Sequence, residues 1–103
     1  MADPLGARIP SLAALRAKRD EILAIASACG AHNVRVTGSV AAGESGPDSD
    51  IDLVVDLDDD RDVADLSNLI LDLEEALGRR VDVLEVRHPS AFAARVLGDA
   101  VPL

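Results

Sequence analysis

Aromatic side chains are almost missing from this sequence: Phe92 is the only one, and tyrosine and tryptophan are absent. A core must therefore be built from Ala, Val, Leu and Ile, which is feasible because 49% of the 103 residues are hydrophobic. A chain of this length suits one unit, so we expect residues 1–103 to form a single domain. A domain so small buries a limited share of its surface, which makes stabilisation by a ligand or partner useful.

Cysteine and positive charge are also scarce. Cys29 is the only cysteine, which excludes an internal disulfide framework and a cysteine-based zinc site. The formal net charge of -9 would repel a polyphosphate backbone, so we expect no direct nucleic-acid binding. Small phosphates remain possible ligands when a divalent cation lies between the charges. No apolar run reaches membrane-spanning length and no signal-peptide pattern is visible, so the sequence predicts a cytoplasmic protein without membrane contact.

The spacing of apolar and turn residues predicts an α/β domain with the order α-β-β-α-β-α. Acids at 58–60 and 62 are interpreted as capping and solubility residues of the helix that follows them. Arg16, Lys18 and Arg19 are interpreted as a solvated helix face, with a phosphate contact as the alternative. The predicted elements are a helix from Ser11 to Gly30, strands at 33–37, 49–56 and 81–86, a helical turn at 39–43, a helix from Val63 to Gly78, a helix from Pro89-Ser90 to Gly98, and a short edge strand in the last four residues.

Two acids at alternate positions of a predicted strand, Asp50 and Asp52, are the first candidate site residues. Side chains at i and i+2 of a strand point the same way, so these carboxylates would repel each other unless a cation or solvent separates them. Mg²⁺ suits such hard oxygen ligands. If the strand containing Asp82 is a neighbour, its carboxylate joins them, and three carboxylates can hold two metal ions for a phosphoryl displacement. Alternatively, the pair is solvated and Asp82 is a surface ion-pair residue.

A Gly38-Ser39 pair precedes these acids. Glycine allows a close approach of the backbone to a phosphate, and a serine that opens a helical turn offers its hydroxyl and nearby N–H groups to an anion. Such a pair is ordinarily only a turn, but next to a metal-binding acid pair it predicts a site for a nucleoside triphosphate.

In this order and spacing, the motifs resemble the signature of the DNA polymerase β-type nucleotidyltransferase superfamily, and most of all its minimal nucleotidyltransferase (MNT) domains. The resemblance covers residues 33–86, and it implies a small mixed β-sheet flanked by helices. It also implies transfer of a nucleotidyl group, usually AMP from ATP, with Mg²⁺. The residues that carry it are Gly38-Ser39, Gly43, Ser49-Asp50-Ile51-Asp52-Leu53-Val54-Val55 and Val81-Asp82-Val83.

The resemblance also implies a role for each matching residue. Asp50 and Asp52 match the two metal-binding acids, and Asp82 matches the third acid, which binds metal and helps to activate the acceptor hydroxyl. Nucleotide binding falls to three further residues: Gly38, Ser39 and Ser49.

Many MNT proteins are antitoxins of HEPN-domain ribonuclease toxins, and some silence the toxin by attaching AMP to a tyrosine. The resemblance therefore implies a protein adenylyltransferase with a HEPN-type toxin as its partner. One departure concerns the loop, where MNT antitoxins often carry arginines and this chain has Val40, Ala42 and Gly46. The alternatives are a module of the same fold that neutralises a toxin by binding alone, a nucleotidyltransferase with a small-molecule acceptor, and a structural protein with an incidental acid pair.

Overall fold

The computed structural model describes residues 9–86 and 91–103, except for the side chains at 91–93 and 96. The predicted helix start at Pro89-Ser90, and the side chains of Phe92 and Val96, lie outside these residues. The elements are α1 (Leu12–Ala17), α2 (Arg19–Ala28), β1 (Ala31–Thr37), α3 (Gly38–Ala42), β2 (Ile51–Leu57), α4 (Val63–Leu77), β3 (Val81–Val86), α5 (Ala91–Asp99) and β4 (Val101–Pro102).

The strands form one mixed sheet with the order β3-β2-β1-β4. β1 pairs antiparallel with β2 and with β4, whereas β2 and β3 are parallel and are connected through α4. The predicted small mixed sheet with flanking helices is thereby confirmed, and the last residues do form the short edge strand that the sequence predicts.

One face of the sheet, the core face, packs against α1, α2 and α4. Alternation along β2 determines this face, because Ile51, Leu53 and Val55 are buried while Asp52 and Asp56 point to the opposite side. We call that opposite side the acidic face. The main buried side chains on the core face are Leu15, Ile22, Val36, Val40, Ile51, Leu53, Val55, Leu69, Leu73, Leu77 and Val81.

The first predicted helix is interrupted at Lys18, which separates α1 from α2. Ser11 caps α1 as predicted, since its hydroxyl accepts a hydrogen bond of 3.0 Å from the N–H of Ala14. The solvated-face prediction is wrong for Lys18, whose residue is 8% exposed and whose ammonium lies 3.5 Å from the carboxylate of Glu21. Its long aliphatic part can cover apolar surface while the charge stays paired.

Helix α4 follows its prediction closely. Asp62 is the N-cap and forms a capping box with Asp65, an arrangement that typically contributes about 1 kcal/mol to helix stability. Gly78 ends the helix in the left-handed conformation, with φ of 67°. By contrast, α5 does not end at Gly98 but extends to Asp99. Within 9–86 and 91–103, no helix has the length and apolar character needed to cross a membrane.

Candidate functional site

The register of the sheet brings Asp52 and Asp82 together. These residues are direct partners in the parallel pairing of β2 with β3, and both belong to the acidic face. Asp52 is half-buried, whereas Asp82 on the edge strand β3 is exposed. The prediction that the strand of Asp82 neighbours that of Asp52 is therefore confirmed, although the sequence could state it only as a condition.

Among the described residues, Asp52 is an acid group without a compensating charge. Burial raises its pKa, and the negative charges of Asp82 and then of Asp50 raise it further. Within the described residues, no lysine or arginine forms an ion pair with Asp52 that would oppose these effects. A bound cation would relieve this repulsion, because it favours the ionised form of all the neighbouring carboxylates.

Asp50 lies just before the strand, and here the structure corrects the predicted boundary. β2 begins at Ile51 rather than at Ser49, so Asp50 and Asp52 do not form a pair within one regular strand. The preceding loop has its own hydrogen bonds: the Ser49 hydroxyl accepts from the N–H of Gly46 at 2.8 Å. These local bonds compete with strand pairing. The charge of Asp50 nevertheless acts on Asp52.

Arg79 holds the same loop and was not singled out by the sequence analysis. Its guanidinium donates to the carbonyl oxygen of Ser49 at 2.9 Å and to that of Pro47 at 2.6 Å. These bonds fix the backbone immediately before Asp50 to the turn that leads into β3. The only signal in the sequence was a basic residue directly after the helix-ending Gly78, which by itself predicts no such contact.

Gly38 approaches Asp52 so closely that a side chain is excluded. Its φ is 73°, and a Cβ atom at this position would lie 2.4 Å from Oδ2 of Asp52. Thr37 before it is the register partner of Asp52. The sequence predicts a glycine here because the backbone must approach a phosphate closely. The structure adds a second reason for glycine at this position, because the Asp52 carboxylate occupies the space that a Cβ atom would need. Ser39 is half-buried in α3, and its carbonyl oxygen accepts from the N–H of Glu44 at 2.9 Å.

The donor set fits Mg²⁺ in part. Asp52 and Asp82 supply adjacent carboxylate oxygens, the ligand type that Mg²⁺ prefers. In the part of the chain that the structure describes, no three His, Cys, Asp or Glu side chains are grouped as a complete metal site. That is compatible with Mg²⁺, which is usually bound by one or two carboxylates together with substrate phosphates. Asp50, Asp52 and Asp82 as metal ligands all stay predictions.

A cavity of about 490 Å³ opens beside Gly38. Its volume lies within the range of small-molecule sites, roughly 300–1,000 Å³. No pattern in the sequence predicted that the elements around this cavity meet. The described residues that line it come from the end of β1, from α3 and from α5: Thr37, Gly38, Ala41, Ala42, Arg95 and Asp99.

Comparison with known proteins gives one family and several relatives. The family described as "Nucleotidyltransferase domain" matches residues 20–96. A curated relative from Methanocaldococcus jannaschii, "Putative protein adenylyltransferase MJ0435", is 38% identical over 74 residues, which are 70% of this chain and 78% of that protein.

Two solved structures share the fold. One, described as a "putative minimal nucleotidyltransferase", has 42% identity and a TM-score of 0.79, with 90% of this chain and 96% of the other covered. The second, a "toxin-antitoxin with AMP-PNP", has 22% identity and a TM-score of 0.69, with 81% and 69% covered. This chain belongs to the nucleotidyltransferase domain family, as a domain of the minimal (MNT) type.

Proposed function

We propose that this chain transfers AMP from ATP to a hydroxyl group of a partner protein, with Mg²⁺ as the metal. The observation that carries the proposal is the pairing of Asp52 with Asp82 directly beside the side-chain-free position of Gly38. Membership of the nucleotidyltransferase family supports the reaction class. The name of the relative from Methanocaldococcus jannaschii supports AMP as the transferred group and a protein as the acceptor.

In this proposal Asp52 and Asp82, assisted by Asp50, hold Mg²⁺ against the triphosphate. The metal, when bound, offsets the negative charge that develops on the transferring phosphoryl group. Ser39 and Ser49 contact the nucleotide through their hydroxyl groups. The Ser49 hydroxyl already accepts a bond from Gly46, but its own proton stays available for a phosphate oxygen.

The transfer needs one bond to form and one to break. The acceptor oxygen forms a bond to the α-phosphorus, the bond to pyrophosphate breaks, and the carboxylate of Asp82 takes the proton of the acceptor hydroxyl. Asp82 suits this role because it is exposed and lies on β3, an edge strand of the sheet. A protein-sized acceptor can approach an exposed edge more easily than the middle of a sheet.

The acceptor we propose is a tyrosine of a HEPN-type ribonuclease toxin, in the cytoplasm. This chain contains no tyrosine, so a tyrosyl acceptor must belong to another molecule. The similarity in fold to a solved toxin-antitoxin component is compatible with a toxin as the partner. The chain would then act as an antitoxin that modifies its toxin.

The test is co-expression with the product of the neighbouring gene, followed by incubation with ATP and Mg²⁺ and intact-mass measurement of both chains. We expect the mass of one AMP on the partner. Asp82→Asn should reduce the rate by about 100-fold or more, because it removes a metal ligand and a general base. Asp56→Asn is the matched control, since Asp56 lies on the same face but is bound to Arg35, and it should change the rate by less than about twofold.

A binding module of the same fold, without catalysis, is the second candidate. The observation in its favour is that residues 38–50, which contain the predicted nucleotide loop, include no lysine or arginine. A stable complex that silences the toxin while neither chain gains AMP would favour this candidate. The absence of any complex would contradict the antitoxin proposal for that partner.

A further inference from the structure

The cavity beside Gly38 contains one positive and one negative side chain. Of the described residues that line it, Arg95 is the only basic one and Asp99 the only acidic one, and both belong to α5. We propose that Arg95 is the cationic contact for the triphosphate of the bound nucleotide. This inference rests on the proposed function, and it names a residue that lies outside the glycine-serine and aspartate motifs.

The position of the cavity supports the contact. Gly38 lines it and also lies against Asp52, so the cavity adjoins the carboxylates that are proposed to hold the metal. A triphosphate that reaches the metal from this side passes Arg95. A guanidinium suits this task, because its fork of donors can bind two phosphate oxygens at once.

Of the seven other lysines and arginines in the described part of the chain, five have contacts of their own and a sixth lines a different cavity. Arg16 donates to the carbonyl oxygen of Pro102 at 2.8 Å, Lys18 pairs with Glu21, and Arg79 holds the loop before Asp50. Arg35 and Arg61 form ion pairs with Asp56 and Asp65. Arg19 lines a different cavity with Asn33 and Val34, near the start of β1, whereas Thr37 and Gly38 lie at its end.

Arg95 has no such contact among the residues that the structure describes. It is exposed, and no residue in the described part of the chain forms an ion pair with it. In a chain of net charge -9 whose predicted nucleotide loop is free of basic residues, a guanidinium at this cavity supplies the attraction that the phosphates need.

Neutralising Asp99 should change nucleotide affinity in the opposite direction to neutralising Arg95. Its carboxylate lines the same cavity, so it should repel a triphosphate that Arg95 attracts. Neutralising each group in turn should therefore change nucleotide affinity in opposite directions. Loss of folding cannot produce that pattern, because a partly unfolded variant binds more weakly whichever residue was changed.

The experiment is calorimetric titration of the whole chain with Mg-ATP and with adenosine. Arg95→Gln should weaken Mg-ATP binding by about tenfold and leave adenosine binding unchanged, because a charge-assisted bond to phosphate is lost. Arg95→Lys should recover part of the affinity, since it keeps the charge without the fork. Asp99→Asn should strengthen Mg-ATP binding by about twofold. The matched controls, Arg19→Gln and Arg80→Gln, should bind as the unchanged protein does.

A second measurement detects the contact directly in the unchanged protein and does not depend on weakened binding in a variant. In the unchanged protein, the NMR signal of the Arg95 Nε–H group, assigned by its disappearance in Arg95→Lys, should shift when tripolyphosphate and Mg²⁺ are added. Equal Mg-ATP affinity in the unchanged protein and in Arg95→Gln would overturn the inference while leaving the proposed function in place. So would a loss of affinity in Arg80→Gln but not in Arg95→Gln. If the unchanged protein binds neither Mg-ATP nor any other Mg-nucleotide, the proposed function fails and the inference fails with it.

Discussion

Two carboxylates on β2, Asp52 and Asp56, lie four residues apart on the same face of the sheet, but their surroundings shift their pKa values in opposite directions. Asp56 receives hydrogen bonds from Arg35 at 2.9 Å and from Asn33 at 3.2 Å. Burial alone would raise the pKa of Asp56, but the hydrogen bonds from Arg35 and Asn33, with the charges of Arg35 and His32, outweigh burial and lower it.

Asp52 has acids as its neighbours instead, and its pKa is raised by burial and by the charges of Asp82 and Asp50. The difference arises from the neighbouring strands, because β1 presents Arg35 towards one end of β2 while β3 presents Asp82 towards the other. Asp56 thus has a cationic partner, whereas Asp52 lies among like charges and has no such partner in the described part of the chain, which leaves its carboxylate available for a bound cation. Unsatisfied electrostatics of this kind are typical of functional sites.

The bulge in β1 shows how the paired end is built. The register with β2 shifts between His32 and Arg35, and Asn33 in that interval has a positive φ of 52°. This conformation is tolerated by asparagine better than by most residues, and it allows the amide to reach Asp56. At the other end of β1, the positive φ belongs to Gly38, where no side chain is present to contact Asp52.

Of the variants that test this comparison, Gly38→Ala should cause the largest loss in the free energy of unfolding, measured with urea. Its control is Gly43→Ala, because both glycines have φ of 73° but an added Cβ at Gly43 meets nothing within 4 Å. Both variants should lose roughly 1–2 kcal/mol for the left-handed conformation. Gly38→Ala should lose about 1 kcal/mol more, since its Cβ displaces the Asp52 carboxylate.

Combining Gly38→Ala with Asp52→Ala should remove that additional loss, because the clashing carboxylate is then gone. Equal losses in the two glycine variants would show instead that Asp52 can move aside without cost. In that case the close approach at Gly38 would not constrain the site.

Local patterns were enough to predict most of the fold. Alternating apolar residues predict β2, and the Asp62 cap and the terminal Gly78 predict α4, because these signals lie within a few residues of each other. The break at Lys18 was not predictable, since the apolar spacing continues through it. The start of β2 was placed too early because Ser49 and Arg79 bind the loop, a contact between residues thirty positions apart.

The candidate site follows the same rule. Asp50, Asp52 and Gly38-Ser39 were predicted as site residues because they are close in sequence, and Asp82 was included only on the condition that its strand is a neighbour. The presence of Arg95 and Asp99 at the cavity beside Gly38 was not predicted, since only the packing of α5 against β1 brings them there. The sequence therefore predicts candidate site residues within a motif, but not which distant side chains line the cavity beside them.

The next largest effect is the change in stability at pH 7 when Asp52 or Asp56 is neutralised, which should have opposite signs for the two residues. Asp52→Asn should stabilise the metal-free protein, because it removes a charge that is disfavoured by burial and by repulsion from Asp82 and Asp50. Asp56→Asn should destabilise it, because the Arg35 guanidinium loses its ionised partner. Each change should be below about 1 kcal/mol, since the Asp56 side chain is 48% exposed and solvent screens the pair. Thermal unfolding without divalent cations measures both, and a decrease in melting temperature in both variants would contradict the comparison.

The smallest effect is the pH dependence of the free energy of unfolding between about pH 2.5 and 6, a range that brackets the ordinary carboxyl pKa. The pKa of Asp56 is lowered from 3.8, so the unfolded state binds its proton first as the pH falls. Asp56 therefore contributes stability above pH 3.8, and this contribution is lost as the pH falls through its folded-state pKa. The pKa of Asp52 is raised from 3.8, so its folded state holds the proton longer, and stability decreases as the pH rises from 3.8 through its folded-state pKa.

Asp56→Asn should flatten the loss of stability on the acid side of pH 3.8, and Asp52→Asn should flatten the loss of stability on the alkaline side of pH 3.8. Urea unfolding at closely spaced pH values measures both slopes, and an unchanged curve in Asp52→Asn would mean that neither burial nor the charges of Asp82 and Asp50 raise the pKa of Asp52 in solution.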